Sequence, residues 1–266
     1  MIRRTLGLLA VIIAAALVLA PLPAGAAGVA VYNGRLCGQS EWVRIKLPAS
    51  EYTVHTAAGV CVNTPAQGRL GYTVDTNDGP HWTYPNISSG YEQGGSSCAS
   101  ARDACYRYPV QEKDDGTPVA SVRAWLARGV YNLAFDVWFS PTSAVGTLNY
   151  QHRKGDTEVM VWLAHPGIRY ACGYHVTIDH VSWCVQYGEA GGGSGQPWQR
   201  ITYVAPRTAL GSLSVSNLWL NPLFRDAIKH RMLTPAKWLY AIDLGFELYS
   251  GGAGSNIHYY SLSGVA

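Results

Sequence analysis

Charge is sparse in this chain. Asp, Glu, Lys and Arg make up 14% of 266 residues and nearly cancel, leaving a formal +3. So small a balance excludes the basic surface that a nucleic acid or an anionic membrane requires. No Cys-x-x-Cys pair and no cluster of histidines occurs, so no metal site is expected and nothing calls for an organic cofactor. Internal repeats and long blocks of like charge are also missing, which excludes a solenoid and a charged tail. After residue 26 no run is apolar enough to cross a bilayer.

The chain opens "MIRRTLGLLAVIIAAALVLAPLPAGAAGVA". Arg3 and Arg4, the apolar run from Leu6 to Ala20 and the small-residue pattern Ala24-Gly25-Ala26 predict a secretory signal peptide over residues 1–26, cleaved after Ala26. The rival reading, an uncleaved anchor, needs about 20 apolar residues and usually a charged stop beyond them. Signal removal takes away two of the 20 basic residues, leaving 18 against 17 acidic, or +1. Residues 27–266 are expected to be one secreted domain with no membrane contact, since β-sandwiches commonly reach about 250 residues undivided.

What is plentiful is glycine, tyrosine and tryptophan, at 29, 17 and 9 residues, and short alternating segments separated by Gly, Pro, Asn and Ser dominate. This is the profile of an all-β protein, a two-sheet sandwich or jelly roll. All six cysteines lie in the exported part, and an even count in an oxidising compartment predicts disulfides. They fall into three local pairs along the chain: Cys37 with Cys61, Cys98 with Cys105, and Cys172 with Cys184. The one convincing helix lies in "SNLWLNPLFRDAIKHRML", with Asn221 as N-cap, Pro222 at the first helical position and Lys229, His230 and Arg231 at the C-terminal end of the dipole. "YGEAGGGSGQPW", Tyr187 to Trp198, reads as a flexible hairpin loop.

Three strand-like segments share an unusual pattern. In "KGDTEVMVWLAHPG", Thr157, Val159, Val161 and Leu163 alternate with Asp156, Glu158, Met160 and Trp162. In "GVYNLAFDVWFSP", Tyr131, Leu133, Phe135, Val137 and Phe139 alternate with Asn132, Ala134, Asp136 and Trp138. In "WLYAIDLGFELYSGG", Ile242, Leu244, Phe246 and Leu248 alternate with Ala241, Asp243, Gly245, Glu247 and Tyr249. Any one such acid belongs to the ordinary solvated face of an antiparallel sheet. Three acids, each beside Trp or Tyr, point to one groove. Flat aromatics stack on sugar C–H surfaces, polar groups bond hydroxyls, and two carboxyls can cleave a glycosidic bond.

In order and in type, "YNLAFDVWF", "TEVMVWLAHPG", "ITYVAP", the helix region and "LGFELYSGGAG" resemble glycoside hydrolase family 12, the small secreted endo-β-1,4-glucanases and xyloglucanases. The resemblance runs from about Tyr131 to the C-terminus. It implies a curved two-sheet jelly roll with one short helix and a substrate cleft on the concave face. It implies a secreted, monomeric retaining enzyme acting on internal β-1,4 linkages of a β-glucan such as amorphous cellulose, mixed-linkage glucan or xyloglucan. By the resemblance Glu158 matches the nucleophile, Glu247 the general acid/base and Asp136 the acid that supports the nucleophile. Met160 and Trp162, with Trp138 on the same kind of face, match cleft-lining positions. Pro166 and Gly167 resemble the start of the loop that crosses the cleft. A retaining mechanism requires carboxyls about 5–5.5 Å apart.

The N-terminal half departs from the family pattern. Family members carry an Asn-Asn-x-Trp-Gly segment early in the chain. The matching stretch here, "EYTVHTAAGVCV", has Thr56, Ala57 and Gly59 in place of amide and indole. Trp82, in "GPHWTYPNISSG", either replaces that stacking platform or is ordinary packing. "TSAVGTLNYQHRKG" lengthens the connection between the Asp136 and Glu158 segments. "CGYHVTIDHVSWC" reads as a β-hairpin closed by Cys172 and Cys184, whose His175, Asp179 and His180 are either a metal cluster or solvated side chains. If the hairpin borders the cleft, it selects which chains fit. Bridges like Cys37–Cys61 and Cys98–Cys105 resemble those of bacterial family members, and the third is an addition. Two other classes fit secretion and aromatics: a lectin-like glycan-binding protein on the same jelly roll, and an adhesive wall protein. The second leaves the motif-embedded glutamates unexplained.

Overall fold

The computed structural model describes residues 34–37, 42–47, 50–56, 59–64, 70–77, 83–92, 95–96, 110–114, 116–143, 152–191, 197–207 and 209–265. The signal segment, Trp82, Cys98 and Cys105 lie outside them. Among the described residues the chain forms two β-sheets and one α-helix.

The smaller sheet has the order β1 (Gly34–Cys37), β4 (Val60–Thr64), β5 (Tyr72–Asn77), β17 (Asn256–Val265), β9 (Gly116–Leu126) and β15 (Gly211–Trp219). The larger runs β12 (Tyr174–Ile178), β13 (Val181–Gly191), β14 (Pro197–Val204), β11 (Thr157–Ala164), β10 (Gly129–Ser140), β16 (Trp238–Gly251), β6 (Asn86–Glu92), β3 (Ser50–His55) and β2 (Trp42–Leu47). Short strands β7 (Gly95–Ser96) and β8 (Val110–Gln111) pair with β6 and β16. Pairing is antiparallel except between β11 and β14, which run parallel because the chain makes the β12–β13 hairpin before β14 returns to β11. This is the jelly roll expected from the alternation.

The alternating apolar residues meet between the sheets. Leu133, Phe135, Val137, Val159, Val161, Leu163, Ile242, Leu244 and Phe246 share one buried cluster with Val62, Val122 and Ala124 of the smaller sheet. Tyr260 packs edge-on against Tyr52 with ring centroids 5.7 Å apart, and Tyr72 does the same to Phe246 at 6.0 Å. Each such aromatic pair adds about 0.5–1.5 kcal/mol beyond area burial. Because one face of β10, β11 and β16 is committed to this core, their acids all emerge on the opposite, outer face.

The helix α1 spans Asn221–Lys229. Leu220, not Asn221, occupies the N-cap, and no side chain caps it. Asn221 instead donates from its amide to the Gly116 carbonyl at 2.8 Å, tying the helix start to β9. Phe224 meets Phe139 edge-on at 5.1 Å, so the helix closes the core beneath β10. Of the stretch expected as a hairpin loop, residues 187–191 and 197–198 are strand, and residues 192–196 lie outside the described residues. β13 and β14 stay in register from Gly188–Arg200 to Gly191–Pro197, since backbone pairing across a hairpin does not need side chains. Cys37 and Cys61 are bonded directly across the β1–β4 ladder, and Cys172 is bonded to Cys184.

Candidate active site

Register lays the outer face of the larger sheet out in rows. Across β11 and β10, Glu158 lies opposite Trp138, Met160 opposite Asp136 and Trp162 opposite Ala134. β16 extends the rows, with Ala241 beside Trp138, Asp243 beside Asp136, Gly245 beside Ala134 and Glu247 beside Asn132. β14 adds Arg200, Thr202 and Val204 beyond Glu158, Met160 and Trp162. Glu158 and Glu247 therefore flank β10 from its two sides, three rows apart, with Asp136 in a row between them. All three carboxyls and that of Asp243 are at most 5% exposed.

Each glutamate has a dedicated donor. Trp198 donates its indole N–H to Glu158 Oε2 at 2.8 Å, and Asn132 donates its amide to Glu247 Oε2. Burial pushes the Glu158 carboxyl up to about 7; Arg200 and the Trp198 hydrogen bond pull against that rise, and Glu247 adds to it. Asp136 is held well above the usual carboxylate range by burial, then by Glu158, Glu247 and Asp243, against a lowering contribution from the Tyr84 hydroxyl. In a water-poor site charges this close cannot all persist, so protons are retained on some of them.

Tyr84 owes its position to a missing side chain. A Cβ at residue 245 would lie 2.7 Å from Asn86 Cβ and 2.8 Å from Tyr84 Cε2, so only glycine lets the chain from Tyr84 to Asn86 cross the face there. The Tyr84 hydroxyl faces Asp136 without closing a well-formed hydrogen bond, and burial, then Asp136, Asp243 and Glu247, keep its proton in place.

The aromatics expected in the cleft reach the face, and each lies under a neighbour. Trp138 stacks on His152 at 3.5 Å and 10°, and touches Trp198 and Tyr240. Trp162 donates to Met160 Sδ at 3.0 Å and packs under Tyr170, 4.9 Å away. Pro166 accepts from the Tyr131 amide at 3.2 Å, and Gly167, at φ +71°, sits where a Cβ would be 2.7 Å from the Gly129 carbonyl oxygen. These contacts press the loop after β11 onto the start of β10. Asp156 shares a sequence parity with Glu158, yet its carboxylate accepts from the Arg153 amide at 2.9 Å and closes the turn before β11.

His55, within the altered N-terminal segment, occupies the outer face of β3, opposite Asn86. In the hairpin, Asp179 and His180 form the two-residue turn with φ of 48° and 65°, a primed turn that fits the twist of its strands. Among the described residues no group of three or more His, Cys, Asp or Glu is arranged to hold a metal ion. Trp198, Tyr84, His152 and Arg200 are site residues that sequence alternation did not single out, and Asn132, placed by it on the acid face, was given no role. Trp198 had the clearest signal, an indole at the end of a glycine-rich sequence.

A two-sheet jelly roll of this strand order defines a class of fold that solved structures share. The chain has the fold of glycoside hydrolase family 12. A family 12 glycoside hydrolase matches 88% of this chain and 100% of its own at 25% identity, with a TM-score of 0.68. The endoglucanase Cel12A of Rhodothermus marinus matches 86% of this chain and 98% of its own at 24% identity and TM-score 0.65. A family 12 xyloglucanase from Bacillus licheniformis matches 87% and 100% at 20% identity and TM-score 0.66. In sequence alone, no family profile and no curated protein matches the chain.

Proposed function

We propose that this protein is a secreted, retaining endo-glycoside hydrolase that cuts internal β-1,4 linkages of a β-glucan by double displacement. The observation that carries the reading is the placement of Glu158 and Glu247 on one buried face around Asp136, each with its own hydrogen-bond donor. The likeness in fold to endoglucanases and a xyloglucanase supports it.

Glu158 is the nucleophile. Trp198 holds Oε2, leaving Oε1 to attack the anomeric carbon as the glycosidic C–O bond breaks, and Glu247 gives its proton to the departing oxygen. In the second half, Glu247, now a carboxylate, takes a proton from water as that water attacks the same carbon and frees Glu158. Trp198 and Arg200 make the ionised nucleophile available at neutral pH despite complete burial. Asp136, protonated, supports the nucleophile without adding a second charge beside it. The substrate is a soluble or amorphous β-glucan, bound by one monomeric catalytic domain of residues 27–266 after the signal over residues 1–26 is removed.

The test is release of reducing ends from mixed-linkage β-glucan by residues 27–266 beside a Glu158→Gln control. Activity abolished in the control supports both the reaction and the nucleophile. A folded chain without activity on this glucan, amorphous cellulose or xyloglucan refutes the proposal and favours a glycan-binding protein on the same scaffold.

A further inference from the structure

On the β11 side of Asp136 the acid-bearing face is covered. On β10, β11 and β14 the outer residues Ala134, Met160, Trp162 and Val204 form an apolar patch, and Ile168, Tyr170 and Cys184 pack onto it. Ile168 and Tyr170 come from residues 165–173, the loop after β11. Cys184 comes from β13, opposite Val204. The loop is fastened along its length. His165 donates its amide to the Arg207 carbonyl at 3.0 Å, Gln186 donates its side-chain amide to the Ala171 carbonyl, Gly173 donates its amide to the Val185 carbonyl at 3.1 Å, and Cys172 is bonded to Cys184. The patch reaches Met160, in the row of Asp136 and one strand away, about 5 Å across the sheet.

A cavity of about 260 Å³ adjoins the covering, bordered by His165, Tyr170, Cys172, His175, Cys184 and Val204. Tyr170 and Cys184 thus both pack on the apolar patch and border the cavity.

We propose that residues 165–173, locked by the Cys172–Cys184 disulfide, form a fixed end wall of the glycan cleft, with Tyr170 limiting how many sugars bind on the β11–β14–β13 side. This rests on the glycan-cleaving reading above. A glycan lying across the acids toward β14 stops at Tyr170. Without the wall, Trp162 is uncovered as a stacking surface and the cleft joins the cavity, lengthening the binding track across β14 and β13.

Two variants separate this role from simple stabilisation: Tyr170→Ala, which keeps the disulfide, and Cys172→Ser with Cys184→Ser. For each, kcat/KM is measured on β-1,4-glucan oligosaccharides of increasing length, and binding of the same series is measured in a Glu158→Gln background. The native chain is expected to stop gaining at a given length, whereas both variants gain about three- to tenfold more from the next sugar, the contribution of one aromatic contact. Variants that fold, bind and cut with an unshifted length limit overturn the wall and leave the enzyme reading intact. Absence of both binding and turnover for every oligosaccharide overturns both.

Discussion

Replacing Trp198 with Phe removes one hydrogen bond from Glu158 while keeping a ring against Trp138, whose centroid is 5.5 Å away. A hydrogen bond to a charged acceptor contributes about 1.5–3 kcal/mol, and water entering beside Phe recovers part of it, so about 1.4 kcal/mol, or one pKa unit, is the expected loss. The sign is set by which form is bonded. The indole N–H stabilises ionised Glu158, so its removal raises the carboxyl from about 7 to about 8. The nucleophile must be ionised, so the acid limb of kcat/KM moves up by that unit. At pH 6 the ionised fraction falls from about one-tenth to about one-hundredth, a tenfold loss, whereas at pH 8 the loss from ionisation is about twofold. The assay is reducing-end release from mixed-linkage β-glucan between pH 5 and 9. An equal loss at every pH, or an unmoved acid limb in an active variant, would refute the assignment of Trp198 as the donor that keeps Glu158 charged.

The same buried carboxyl makes the site a liability for folding. Its pKa is higher folded than unfolded, so the penalty is absent below 4.5, grows with pH and is complete above about 7. Glu158→Gln should therefore stabilise the protein by up to about 3 kcal/mol at pH 8 and hardly at all at pH 4.5, readable in urea melts at the two pH values; equal effects at both would contradict the burial argument. Asn132→Ala should lower kcat by about tenfold or more by releasing Glu247, while leaving the acid limb assigned to Glu158 in place. Opening Cys37–Cys61, which closes 24 residues, should cost about 0.6 kcal/mol more than opening Cys172–Cys184, which closes 12, by loop entropy alone. Thermal melts of the two double Cys→Ser variants that order the other way would contradict that account.

The fold was legible because its strands obey one rule. In β10, β11 and β16 the inward residues are apolar without exception from Tyr131 to Phe139, Val159 to Leu163 and Ile242 to Leu248, so period-2 alternation sorted their faces correctly. Alternation failed where local backbone pairing or a turn decided the outcome. Asp156 has the parity of Glu158 but closes a turn, and Asn221 lies one position inside the helix it was expected to cap.

By itself the sequence determined which acids share a face, because side-chain direction along a strand depends only on parity. It also determined the local pairing of Cys37 with Cys61 and of Cys172 with Cys184. Only the tertiary structure decided what surrounds those acids. Strand order inserts β10 between Glu158 and Glu247, and register sets Asp243 beside Asp136. Contacts between segments far apart in the chain bring Trp198, Asn132 and Tyr84 to the carboxyls, and the loop after β11 folds back to lay Tyr170 over Trp162. Such neighbours are set by how strands add to a sheet and how loops fold back over it, and no local periodicity records either.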